Sequence, residues 1–184
     1  MRVFYALPLP KPVCGKLSPI ALSLKQAYRG LSVVRDEAFH ITLFFFGEAT
    51  GNEVEILKLI LDAPRLAIKA LRARFSSLGT FPQSGNPRVL FAGIGEGSRE
   101  VSAFYEKLKD LLANENLLPD DTNRLFHPHI TLARNKFARI APGALGQIEL
   151  PHDPFLFQRC VLFQSILKPA GAEYIALKVR EFDE

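Results

Sequence analysis

The tetrapeptide His-Ile-Thr-Leu occurs twice in this chain of 184 residues, at His40–Leu43 and at His129–Leu132, and uses two of its four histidines. Both copies lie in runs of apolar and β-branched residues, 39–46 and 126–133, that read as strands. Side chains alternate across a strand, so each word points its histidine and threonine to one face and its isoleucine and leucine to the other. A polar pair on a strand whose opposite face enters a core is costly unless it has partners. Each copy also follows a strand and then a helix. The repeat therefore points to two related halves that bring two His-Thr pairs toward one groove.

The rest of the chain supplies both halves. Strands are expected over 2–9, 66–81, 88–94, 155–167 and 174–179. The pair flanking the turn at 83–87 forms an antiparallel hairpin, and a last hairpin turns at 168–171. Apolar residues at helical spacing predict helices within 11–28, over 52–63 and over 98–114. Pro19 interrupts the first stripe, so that helix either starts near Ser18 or is kinked there. Strands and helices do not follow a strict βαβ alternation. The fold class is thus α+β: two pseudo-symmetric lobes, each an antiparallel sheet backed by helices, with a groove between them. No linker-like stretch divides residues 1–184, which are read as one bilobal domain.

Composition narrows the function classes. Fifteen Phe among 48% hydrophobic residues give ample core, and the two cysteines, Cys14 and Cys160, are far apart and read as buried small hydrophobes. A disulfide scaffold and a thiolate zinc site are excluded. No run approaches the ~20 apolar residues of a membrane span, so a cytoplasmic home is expected. The net charge of +4 suits a phosphate-bearing substrate without demanding a nucleic-acid groove.

Two imidazoles and two hydroxyls on facing strands suit in-line displacement at phosphorus. One ring takes a proton from the attacking oxygen and the other gives one to the departing oxygen. An ordinary pKa near 6.5 lets one ring be neutral while the other is charged. Threonine hydroxyls donate to the non-bridging oxygens. Neither a metal nor another cofactor is required. The His127/His129 pair is a weaker metal candidate that lacks an evident third ligand; His127 reads as a residue supporting the site from behind or lying at the surface, and His152 as solvated.

These words resemble the 2H phosphoesterase superfamily, and within it the RNA 2′,3′-cyclic phosphodiesterase branch, also called LigT-like or 2′-5′ RNA ligase. The resemblance runs through 2–7, 39–48, 78–82, 87–93, 126–134 and 171–174, nearly the whole chain. The chain departs from the branch in having no Trp, with Phe91 in the hairpin, and in having Leu125 after Arg124. The resemblance implies His40 as the general acid toward a leaving 3′ oxygen and His129 as the base that activates water. It also implies that Thr42, Thr131 and Arg134 bind phosphate. The implied partners are RNA ends or nucleotides bearing a 2′,3′-cyclic phosphate, hydrolysed to 2′-phosphates by a monomer, with reversal giving a 2′-5′ linkage. A small cyclic nucleotide as substrate, or RNA-end binding without turnover, are the alternatives. Around the groove, Arg88, Arg124 and Arg139 could add a basic rim, and one of Phe44, Phe45 and Phe46 could stack on a base while the others fill the core.

Overall fold

A computed structural model describes residues 1–83, 85–123, 125–141, 143–168 and 171–183, with side chains at 121 and 123 excepted. Arg124, one of the rim candidates, and the centre of the last hairpin turn, Pro169 and Ala170, lie outside the described residues.

Ten strands and three helices follow one another as β1 (Arg2–Pro8), α1 (Lys11–Ala27), β2 (Leu31–Val33), β3 (His40–Glu48), α2 (Gly51–Asp62), β4 (Leu71–Ala73), β5 (Phe75–Phe81), β6 (Val89–Ile94), α3 (Ser98–Asn114), β7 (His129–Asn135), β8 (Phe155–Phe157), β9 (Arg159–Lys168) and β10 (Gly171–Glu181). They build one four-stranded sheet in the order β10-β9-β1-β3 and a second in the order β2-β7-β6-β5, with β4 and β8 pairing separately. All these pairings are antiparallel. The α+β class and the two related sheets are as the sequence predicts, and each His-Ile-Thr-Leu word opens its strand.

The halves correspond in detail. In the first sheet β3 pairs with β1, with His40 opposite Pro8 and Thr42 opposite Ala6. In the second, β7 pairs with β6, with His129 opposite Gly93 and Thr131 opposite Phe91. Ile41, Leu43, Ile130 and Leu132 are all buried, so the inward face of both words anchors the register; a slip of one residue would put the polar pair into the core. Short β2 covers only residues 133–135 of β7. The part of β7 that carries the motif therefore keeps an open edge, and it faces β3, itself an edge strand.

Helix α2 packs on β9 and β10, while α1, although it follows β1, packs on β2 and β7 of the other sheet. One core of buried residues runs through both sheets and all three helices. Helix α2 starts in a capping box, in which the Glu53 N–H donates to Thr50 Oγ1 at 3.3 Å and the Thr50 N–H donates to Glu53 Oε2 at 2.7 Å. Helix α3 begins differently. Its N-cap is Gly97 at φ +86°, where a Cβ would lie 2.0 Å from the Arg72 carbonyl oxygen, so only glycine fits.

Several boundaries depart from the sequence pattern. Helix α1 runs from Lys11 through Pro19 without interruption. Pro19 and Gly15, four residues earlier, are both solvent-accessible, so the carbonyl that loses its amide donor faces water. The expected strand over 66–81 is instead a 3₁₀ turn at Pro64–Leu66, then β4, then β5, with the chain changing partners at Arg74. The expected strand over 155–167 likewise divides into β8 and β9 at Gln158. Strand β7 begins at His129 rather than Phe126 because Pro128 has no amide to give a ladder. Of the three consecutive phenylalanines, Phe44 is buried and Phe45 is 39% exposed, because a bulge between β1 and β3 at Leu43 shifts the alternation, leaving Leu43 and Phe44 both inward and Phe45 on the cleft with His40 and Thr42.

The Thr50→Ala substitution is expected to lower stability by about 1 kcal/mol through loss of the cap, read as a lower urea midpoint with an unchanged denaturant slope.

Candidate active site

A cleft of about 380 Å³ opens where β3 and β7 face each other, and His40, Thr42, Thr131 and Arg134 are among the residues that line it. The structure thus brings four of the five sequence candidates to one cavity. His129 stands on the same face of β7 two residues before Thr131. It is not among the residues lining this cavity, yet it lies close enough for its charge to oppose protonation of His40. Arg88 and Arg139 do not line the cleft.

Both histidines are held by the same device. His40 Nδ1 bonds the Ala38 carbonyl at 2.6 Å, and His129 Nδ1 bonds the His127 carbonyl at 2.7 Å. In each case the acceptor is the carbonyl two residues earlier, just before the strand begins. A carbonyl only accepts, so Nδ1 carries the proton and Nε2 is the atom left for chemistry. Two rings then hold each imidazole. Phe4 and Tyr174 lie 5.1 and 5.4 Å from the His40 ring, and Phe81 and Phe91 each lie 5.0 Å from the His129 ring. Phe91 takes its position because Gly79 faces it across the ladder; a Cβ there would sit 2.4 Å from the Phe91 ring.

The two sites differ at Nε2. That of His40 lies 3.0 Å from Thr42 Oγ1. While the ring is neutral, Nε2 accepts the threonine proton. Once the ring is protonated it can only donate, which frees the Thr42 hydroxyl to donate elsewhere. No bond of this kind joins His129 to Thr131 among the described residues, so the Nε2 lone pair of His129 is free.

Burial is the main cause that pulls both imidazoles below their ordinary pKa. His40 is pushed down to about 4, with the charges of His129 and Arg134 adding to the effect and the Ala38 bond opposing it. His129 is lowered in the same way, with His127 and Arg134 contributing. Neither ring therefore keeps the ordinary value near 6.5: burial favours the neutral form of both, and a nearby anion would favour the charged form. His127 has an exposed side chain and serves His129 through its backbone. No three His, Cys, Asp or Glu side chains gather among the described residues.

The pattern of the sequence did not mark Arg2, Phe4, Ser165 or Tyr174, yet all four line the cleft. They belong to it because β1, β9 and β10 lie beside β3. The alternation of Arg2 and Phe4 on β1 is the one local signal, and it shows a shared face without showing what that face meets.

A family model for the 2′-5′ RNA ligase superfamily matches residues 10–164. The chain belongs to this superfamily. It is 35% identical over 182 residues to a Thermus thermophilus protein named RNA 2′,3′-cyclic phosphodiesterase, covering 97% of this chain and 88% of that one. An Aeropyrum pernix protein of the same name is 32% identical over 169 residues, covering 89% and 93% of the two chains. Among solved structures, one of a Thermus thermophilus protein superposes with a TM-score of 0.78 at 31% identity over 98% of this chain and 97% of that one. Escherichia coli LigT complexed with 3′-AMP superposes with a TM-score of 0.76 at 21% identity over 100% and 98% of the two chains, a likeness of fold. The membership that the two motif words and their flanking segments implied is met at the level of the family.

The lowered pKa of His40 has a consequence for stability. Unfolded, the ring titrates near 6.5; folded, it titrates at about 4. Between those values the unfolded chain binds more protons, so acidification through this window favours unfolding. Urea titrations from about pH 7 down to about pH 4 should show stability falling less steeply for His40→Gln than for the natural chain. Equal slopes would mean that His40 titrates normally in the fold.

Proposed function

We propose that this chain hydrolyses a 2′,3′-cyclic phosphate at an RNA end and leaves a 2′-phosphate. The observation that carries this reading is the matched presentation of two imidazoles. Each has Nδ1 tied to a backbone carbonyl and Nε2 left for the reaction, on strands that face each other beside a cleft holding two threonine hydroxyls and an arginine. The name RNA 2′,3′-cyclic phosphodiesterase, carried by relatives over almost the full length, supports the choice of substrate.

In this reading the cyclic phosphate enters with its non-bridging oxygens toward Thr42, Thr131 and Arg134, and its negative charge raises the affinity of His40 for a proton. His40 then carries a proton on Nε2, and the Thr42 hydroxyl turns its own proton to the phosphate. His129 Nε2 takes a proton from water as the water oxygen bonds to phosphorus. The bond from phosphorus to the 3′ oxygen breaks, and that oxygen takes the proton of His40. The free lone pair of His129 suits the base, and the hydroxyl-paired Nε2 of His40 suits the acid. By microscopic reversibility the same groups join a cyclic end to a 5′ hydroxyl, giving a 2′-5′ linkage. The chain acts as a monomer. Its two unpaired cysteines fit a reducing cytoplasm, where RNA is its substrate.

The test is to incubate the protein, in chelator, with a cyclic-phosphate oligonucleotide and with 2′,3′-cyclic AMP, and to identify the products. Conversion of the oligonucleotide to its 2′-phosphate supports the proposal. Turnover of the mononucleotide alone would assign a small cyclic nucleotide instead, and binding without turnover would make this an RNA-end binder. His40→Ala and His129→Ala should each lower turnover by about 10²-fold or more. A near-normal rate in either variant would remove that residue from the chemistry.

The depressed pKa values also set the pH profile. The free protein needs one ring charged and one neutral, so kcat/KM should rise as pH falls from the alkaline side toward the lowered pKa values and fall again once both rings are charged. The bound phosphate raises these values, so the kcat profile should lie to the alkaline side of the kcat/KM profile. Coincident profiles would show that the anion does not set the protonation state.

A further inference from the structure

The cleft does not end at the reacting groups. From His40 and Thr42 it continues over the first sheet to Arg2 and Phe45, and on to Ser165 and Tyr174. Arg2 lies over the Phe45 ring, with its guanidinium carbon 4.8 Å from the ring centroid. This contact holds the guanidinium in place and leaves its outer side toward the cavity.

Arg2 has no carboxylate partner among the described residues. The obvious candidate is Glu48, directly opposite it in the ladder, but Glu48 Oε2 lies 3.1 Å from the amino group of Met1. The Nε of Arg2 is buried and has no hydrogen-bond partner among the described residues. The buried Nε therefore brings no neutralising acceptor to this cation, and the guanidinium on the cleft is left to an anion that enters it. Arg134, the other arginine lining the cavity, is likewise without a carboxylate among the described residues and sits on the strand of Thr131.

The two cations occupy different positions. The charge of Arg134 acts on His40, His129 and Tyr174, whereas that of Arg2 acts on Tyr174 and on neither histidine. In the ladder Thr42 faces Ala6 and Phe45 faces Phe4. The Phe45 ring, with the guanidinium on it, is therefore displaced from the Thr42 row by two β1 residues, about 7 Å at the strand rise. That displacement is of the order of one nucleotide step along a single strand.

We propose that Arg2, seated on Phe45, binds the phosphate one nucleotide to the 5′ side of the reacting cyclic phosphate, making the site selective for an oligonucleotide end over a mononucleotide. This rests on the phosphodiesterase reading above and specifies its substrate. Arg134 and the threonines hold the reacting phosphate, and Arg2 holds the next one. Arg2 touches the substrate away from the bonds that change, so its contact is equally strong before and during reaction and acts on KM rather than kcat.

The experiment compares two dinucleotides ending in a 2′,3′-cyclic phosphate, one with an ordinary internal phosphodiester and one with a neutral methylphosphonate at that linkage. The natural chain should prefer the charged linkage by about tenfold in kcat/KM, the size of one hydrogen-bonded charge contact. Arg2→Gln should erase this preference mainly through KM, and Arg2→Lys should keep part of it. Absence of a preference in the natural chain, or its survival in Arg2→Gln, overturns the proposal.

Failure of the phosphodiesterase reading is separately visible, because the natural chain would then turn over neither substrate. Binding of the corresponding 2′-phosphorylated dinucleotides still tests Arg2 in that event. The ordinary linkage should bind more tightly than the neutral one, and Arg2→Gln should lower the salt slope for the ordinary linkage by about 0.7. If Arg2→Gln does not fold, the two linkages measured on the natural chain and on Arg2→Lys decide the matter.

Discussion

The hydrogen bond from each motif histidine to the carbonyl two residues before it is the constraint from which the chemistry of this site follows. It fixes which nitrogen holds the proton, and it sets the ring plane relative to the strand. It also requires that the chain be irregular just ahead of the motif, because a carbonyl engaged in a ladder would point along the sheet. The two halves meet that requirement differently. A 3₁₀ turn at Asp36–Ala38 precedes His40, and Pro128 precedes His129. Local backbone that neither forms a strand nor continues one thus orients both imidazoles.

The second requirement is that two motif strands meet without pairing. If β3 and β7 shared a ladder, their polar faces would lie in one continuous sheet with no space between them. Both edges are open, since strand β2 is too short to cover the motif end of β7 and β3 is an edge strand, and the buried isoleucines and leucines of both words fix the register so that His and Thr face outward. The aromatic rings around each histidine fill the remaining space and exclude water from it, and this desolvation lowers both pKa values.

Much of this was legible in the residues. The repeated word gave the two halves, the alternation within it gave the polar face, and helical spacing located α2 and α3 to within a residue or two. The errors in strand partnering share one physical origin. A period of two records the facing of side chains and is blind to the identity of the partner strand. The runs 66–81 and 155–167 therefore read as single strands although each changes sheets midway, at Arg74 and at Gln158. Strand β2, three residues long, carries too little pattern to be seen. Arg2 and Tyr174 lie far from the motifs in sequence, and only the order β10-β9-β1-β3 brings them to the cleft.

Identical words do not make identical sites, and the difference lies in what surrounds them. His40 has a hydroxyl on Nε2 and lies beside the cavity that receives the anion, whereas His129 keeps a free lone pair. Before an anion enters, burial holds both rings neutral, and the positive charge of Arg134 disfavours a proton on either. An entering phosphate reverses that balance, since its negative charge offsets Arg134 and favours a protonated ring beside it. In the proposed reaction the proton that the leaving oxygen needs is bound only when substrate is present, on the histidine whose hydroxyl partner is released in the same event to grip the phosphate. On that proposal one anion sets the protonation state, the orientation of a hydroxyl donor and the distinction between acid and base. A sequence repeat alone would leave that distinction undetermined.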